Sequence, residues 1–127
     1  MENLKVGLQL YSIRDEMEKD MEATLKKVKE MGYDYVEFAG YYGKEAGEVL
    51  ELLEKYGLEC VSVHQVYDVF LEEGKKAVDY LKTIGAKYCA VPWMDLSKHA
   101  GSKNFEQTKK DFIQVATLLK EAGIQLL

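Results

Sequence analysis

The sequence predicts an α/β fold of parallel strand–helix units, of the (β/α)8 TIM-barrel type, truncated to about four βα units plus the start of a fifth strand. Three observations carry this. Glycines at 32, 57, 85 and 123 each end a helix-like stripe and each precede a short strand-like run, the mark of a repeated supersecondary unit. Tyr11-Ser-Ile-Arg14, after the first strand, holds no glycine, whereas a doubly wound sheet usually shows a glycine-rich phosphate loop there. Glu37, Ser62 and His64 fall inside strands, where a sheet covered on both faces would prefer Val or Ile. A closed barrel takes about 250 residues, so residues 1–127 are expected to form a half barrel, a single partial domain.

The elements follow in order. Lys5-Val-Gly-Leu-Gln-Leu10 alternates, with Val6, Leu8 and Leu10 on one face and Gly7, Gln9 and Tyr11 on the other. Ser12 to Asp15 reads as a loop. Asp15 and Glu18 have the spacing of a capping box, with Asp20 a rival N-cap. Met17, Met21, Leu25 and Val28 make the first helical stripe, closed by Gly32, since glycine takes the left-handed C′ conformation at no steric cost. Tyr33 to Phe38 is the second strand, followed by the loop Ala39-Gly-Tyr-Tyr-Gly43. Ala46, Val49, Leu50, Leu53 and Tyr56 form the second stripe. Glu59 to His64 is the third strand. Phe70, Gly74, Ala77, Val78, Leu81 and Ile84 read as one third stripe. Tyr88 to Val91 is the fourth strand, stopped by Pro92. After the long loop 92–104, Phe105, Phe112, Val115, Ala116, Leu119 and Ala122 form the last stripe, and Ile124 to Leu127 begins a fifth strand.

Composition bounds the function. The apolar share of 47% and charged share of 31% are those of a globular protein with a real core. The net charge of -5, with no basic stripe, argues against nucleic acid. The N-terminus has no basic n-region and apolar h-region, and no apolar run approaches a membrane span. The expected location is cytoplasmic, with no membrane partner. Cys60 and Cys89 lack C-x-x-C spacing and read as reduced core thiols, the alternative being a shared metal site.

Four segments taken together carry a family resemblance. V-G-L-Q-L-Y-S-I-R at 6–14, G-Y-D-Y-V-E-F-A-G at 32–40, G-L-E-C-V-S-V-H at 57–64 and G-A-K-Y-C-A-V-P-W at 85–93 resemble, in order and register, the xylose isomerase-like TIM barrels, and more closely their sugar phosphate isomerase/epimerase branch. The resemblance runs the length of the chain. It implies a small-molecule sugar or sugar phosphate substrate. It also implies a divalent metal in the parent family, held mostly by residues of later strands, so no metal ligand or cofactor is expected in this chain alone. Such chemistry removes a proton beside a carbonyl or shifts a hydride, which calls for a carboxylate base and a group that stabilises the developing charge.

In a barrel these groups converge at the C-terminal ends of the strands. Glu37 and His64, which match family positions, are the catalytic candidates; Tyr11, Arg14 and Trp93 are the substrate-binding candidates. Asp95 and His99 lie in the same fourth loop. Each has a plainer reading. Alternation with Val36 and Phe38 points Glu37 inward, where it could serve an interior ion pair. His64 could be a satisfied structural histidine, and Trp93 a cap on the mouth. Arg14, beside Asp15 and Glu16, could be a surface side chain, His99 a solvated one, and Gln9 a filler of the barrel layer. Tyr41 and Tyr42 could pack over the site or at an interface. Exposed strand edges and a bare apolar inner face are expected to drive homo-oligomerisation, in one version as two copies closing a barrel about a two-fold axis.

Three functions remain open: an N-terminal half of a sugar or sugar phosphate isomerase/epimerase, inactive as this chain alone; an inert self-associating half barrel; and, less favoured, a metal-dependent endonuclease of the same superfamily.

Overall fold

The computed structural model describes residues 4–127. Five strands form one parallel sheet: β1 (Gly7–Gln9), β2 (Tyr35–Phe38), β3 (Glu59–His64), β4 (Tyr88–Ala90) and β5 (Gln125–Leu126). Their spatial order is their order along the chain. That settles the fold class. Every crossover moves the same way across the sheet, and right-handed crossovers then place every helix on the same face. A doubly wound sheet would reverse direction at a switch point. The chain is half of a (β/α)8 barrel, with β1 and β5 each paired on one side only.

Burial agrees. Val36, Phe38, Cys60, Val63 and Cys89 are buried toward the helices. Gln9, Glu37, Ser62, Tyr88 and Gln125 occupy one register row on the other face. This inner face is therefore polar across its middle, not the bare apolar patch expected from sequence, because alternation sends each strand's apolar residues to the helices. At Gly7 an added Cβ would meet Tyr35 at 3.3 Å, so glycine permits the close approach of β1 to β2.

The β2–β3 register slips by one, pairing Val36 with Cys60 but Glu37 with Ser62. Val61 is the extra residue of a bulge, a device that re-aims the side chains beyond it. Strict alternation from the buried Cys60 would turn Ser62 and His64 toward the helices. The bulge turns them to the inner face and returns Val63, fully buried, to the core.

The helices are α1 (Arg14–Lys19), α2 (Met21–Glu30), α3 (Ala46–Tyr56), α4 (Asp68–Glu73), α5 (Lys75–Thr83) and α6 (Phe105–Glu121). The expected loop at 12–15 is instead helical: a 3₁₀ turn, Leu10–Ile13, runs straight into α1. No capping box forms at Asp15. The rival, Asp20, breaks the first helix in extended conformation, and its carboxylate accepts from the Ala23 N–H at 2.9 Å. The buried Thr24 hydroxyl donates to the Asp20 and Glu16 carbonyls, tying α1 to α2 across the break. At the start of α3, unforeseen in the sequence, the Glu45 N–H donates to the Glu48 carboxylate at 2.8 Å.

The third stripe is two helices, because Gly74, with φ 54 and ψ -124, stops α4 and starts α5. The long loop holds a 3₁₀ turn, Leu96–Lys98, fastened to α4 by Lys98 and Asp68 at 2.9 Å. Gly32, Gly57, Gly85 and Gly123 all have positive φ as expected. Among the described residues no helix is long and apolar enough to cross a membrane. Cys60 and Cys89 are free thiols buried in the core, and burial pushes both up to about 12.

Candidate functional site

The inner-face row meets the C-terminal strand ends at one polar cluster. The Gln9 amide donates to Glu37 Oε1 at 2.8 Å, and His64 Nε2 lies 3.0 Å from the same oxygen. Gln9 Nε2 also stands 3.2 Å from His64 Nε2. A neutral imidazole nitrogen is either donor or acceptor. His64 Nε2 therefore donates to Glu37 or accepts from Gln9, and a proton moved onto the ring selects the first. Both Glu37 and His64 are about three-quarters buried.

Burial is the largest influence on the Glu37 carboxyl and would raise it. The Ser62 hydroxyl, the Gln9 amide and the His64 charge together outweigh burial and hold it below the ordinary carboxylate range. Ser62 Oγ is buried and meets no partner at hydrogen-bond geometry, so its effect on Glu37 is that of a nearby hydroxyl dipole rather than of a formed bond.

A folded pKa below the unfolded one means that Glu37 contributes stability above the ordinary glutamate range, and that this is lost as pH falls through the folded value. The expected result is that Glu37→Gln flattens the acid limb of a urea-unfolding stability profile below about pH 4. Equal acid slopes for the variant and the natural chain would contradict it.

Beside this cluster lies an open cleft of about 370 Å³, lined among others by Tyr11, Gly40, His64, Gln65 and Trp93. Tyr11 and Trp93 are exposed, as apolar faces awaiting a ring would be. The structure thus brings Tyr11, His64 and Trp93 to one cleft and sets Glu37 directly against His64. Arg14 is elsewhere: its Nη1 donates to the Tyr11 carbonyl at 3.0 Å and its guanidinium lies over the Tyr11 ring, 4.5 Å from the centroid. It does not line the cleft. Asp95 accepts from the Ser97 N–H in a local turn, and His99 Nε2 lies 3.1 Å from the Met94 carbonyl. Tyr41 packs between Phe38 and Tyr80, with centroids 5.8 and 4.2 Å away.

Sequence reasoning left Gln9 as filler and gave Ser62 no role. Both stand two residues from an expected site residue, Tyr11 or His64, and that same-face spacing was the available signal. A second cleft of about 360 Å³ lies between the Tyr41–Glu45 loop and α5, with lysines and glutamates of both signs. Neither Glu37 nor His64 lines it, whereas His64 walls the first cleft, so the first cleft is the candidate site.

Among the described residues no three His, Cys, Asp or Glu side chains converge to hold a cation. One carboxylate and one imidazole fall short of the four or more donors that divalent ions take. The residues present do not by themselves fit such an ion.

No family model and no curated protein matches this sequence. Solved structures do. The fold is half of a TIM barrel. A sugar phosphate isomerase/epimerase from Parabacteroides distasonis superposes with a TM-score of 0.73 at 22% identity, over 99% of this chain and 51% of its own. A xylose isomerase domain-containing protein from Salmonella typhimurium gives 0.68 at 19%, over 99% and 49%. A D-allulose 3-epimerase from Methylomonas sp. gives 0.65 at 20%, over 97% and 50%. The chain spans about half the length of these structures, and the likeness is one of fold.

Proposed function

We infer that this chain carries one half of the mouth of a sugar or sugar phosphate isomerase/epimerase, and that it binds a sugar without turning it over. The observation that carries this is the Gln9–Glu37–His64 contact beside the Tyr11–Trp93 cleft at the strand ends. Glu37, ionised at neutral pH, can accept a hydrogen bond or a proton from a carbon-bound or hydroxyl position. His64 Nε2 can give or take a proton at the same place. Tyr11 and Trp93 offer aromatic faces to a sugar ring. Proton removal beside a carbonyl also needs a group that stabilises the oxyanion. The two donors nearest Glu37, Gln9 and His64, are already engaged with its carboxylate, and no cation site stands beside them among the described residues. Turnover is therefore expected to be absent, while weak binding remains. An endonuclease reading is disfavoured by the net charge of -5 and by Arg14 being held on Tyr11.

Trp93 is the single tryptophan, so its fluorescence reports the cleft. Titration with a ketohexose, and separately with its phosphate, should change the emission saturably. Glu37→Ala should weaken binding about tenfold or more, as expected for losing a hydrogen bond to a charged group. Emission that stays flat for both ligands would favour the inert half barrel.

A further inference from the structure

The two free edges of the sheet carry nearly the same residues. Gly7-Leu-Gln-Leu10 runs through β1, and Gly123-Ile-Gln-Leu126 runs into β5. The likeness extends to position. Gln9 and Gln125 stand at opposite ends of one register row, joined through Glu37, Ser62 and Tyr88. β5 is a two-residue strand, and its flanks bond β4 through Gln125 N–H to the Lys87 carbonyl at 3.0 Å, Leu127 N–H to the Cys89 carbonyl at 2.8 Å, and Val91 N–H to the Leu127 carbonyl at 3.2 Å. Beside it, between β5 and α6, is an open groove of about 490 Å³ whose walls include Ala116, Ile124 and Leu126. Structures that superpose on this chain are about twice its length.

We propose that a second copy of this chain docks on this edge, its β1 taking the place of β5 beside β4. The reciprocal contact closes an eight-stranded barrel from two sets of β1–β4. Register carries the exchange. Gln9 of the incoming copy stands opposite Tyr88, where Gln125 stands now, and Leu8 and Leu10 replace Ile124 and Leu126. The bond lost from the Gln125 N–H to the Lys87 carbonyl is remade by the Gln9 N–H in the same phase. A two-fold axis along the barrel keeps all eight strands parallel. α1 and α2 of the incoming copy, which follow its β1, then cover the groove beside α6. The mouth of the dimer holds two Gln9–Glu37–His64 clusters. Its formation does not depend on which ligand the cleft takes. Each copy carries a net charge of -5, so added salt screens the repulsion and strengthens association.

Sedimentation equilibrium of the full chain at micromolar concentration should approach twice the 14.5 kDa chain mass, more completely at high salt. A Gln9→Cys/Tyr88→Cys double variant locates the seam. Within one copy these positions lie across β2 and β3, about 14 Å apart at the usual strand spacing and beyond disulfide reach. Across the proposed seam they are neighbours. Oxidation should give a covalent dimer, and the buried Cys60 and Cys89 thiols do not compete. Tyr88 is 42% exposed in the single copy, so Tyr88→Glu should leave the circular dichroism unchanged. It should weaken association about tenfold or more by placing charge in the closed interior. A chain that stays monomeric at both salt concentrations overturns the proposal. So does a dimer that yields no covalent product and ignores Tyr88→Glu.

Discussion

Phe38→Ala should destabilise the protein by about 3–5 kcal/mol, the usual cost of deleting a fully buried aromatic side chain. Phe38 is the last residue of β2 and has no exposed surface. It pairs in register with Val63 and packs on Tyr41, which stacks in turn on Tyr80 of α5. The ring thus links the middle of the sheet to the third strand–helix unit. Collapse into the cavity is hindered on both sides, by backbone ladders and by the tyrosine pair. Domains of this size are stable by about 5–15 kcal/mol, so the variant should lose a large share of the total. Equilibrium urea unfolding checks this; a loss under about 1 kcal/mol would mean the site relaxes in a way the packing does not show.

Gly74→Ala should also destabilise, by about 1–3 kcal/mol, the cost of holding a non-glycine residue in a sparsely allowed conformation. The sign is the informative part. Read as part of one helical stripe, residue 74 would be a helix-interior glycine, and alanine there would gain roughly 0.5–1 kcal/mol. In the structure Gly74 has φ 54 and ψ -124 and separates α4 from α5. No heavy atom lies within 4 Å of an added Cβ, so crowding is not the cause and the backbone alone sets the cost. A gain in thermal midpoint would show that α4 and α5 can merge.

Much of the fold was legible because it rests on local chemistry. The glycines at 32, 57, 85 and 123 mark chain reversals that favour glycine wherever they occur. The alternation of Val36, Glu37 and Phe38 assigns faces without reference to the rest of the chain. The break at Gly74 was not legible as a break, whereas Asp20 was already visible as a rival N-cap. Apolar spacing continues through both, and it is the Asp20 cap and the left-handed Gly74 backbone that interrupt the helices.

The candidate site was half legible for the same reason. Residue type and strand position single out Glu37, His64, Tyr11 and Trp93. Arg14 is equally plausible by type, but its packing on the Tyr11 ring keeps it from the cleft wall. Gln9 and Ser62 gain meaning only from a neighbouring strand, where one bonds the Glu37 carboxylate and the other faces it with an unpartnered hydroxyl.

The sequence alone determined that the chain is a run of parallel strand–helix units with polar residues set into the strands, because strand period, helix period and glycine stops are properties of short segments. Only the tertiary structure decided which way Ser62 and His64 point. One extra residue at Val61 reverses the facing of everything after it, and a bulge exists only in relation to the strand beside it.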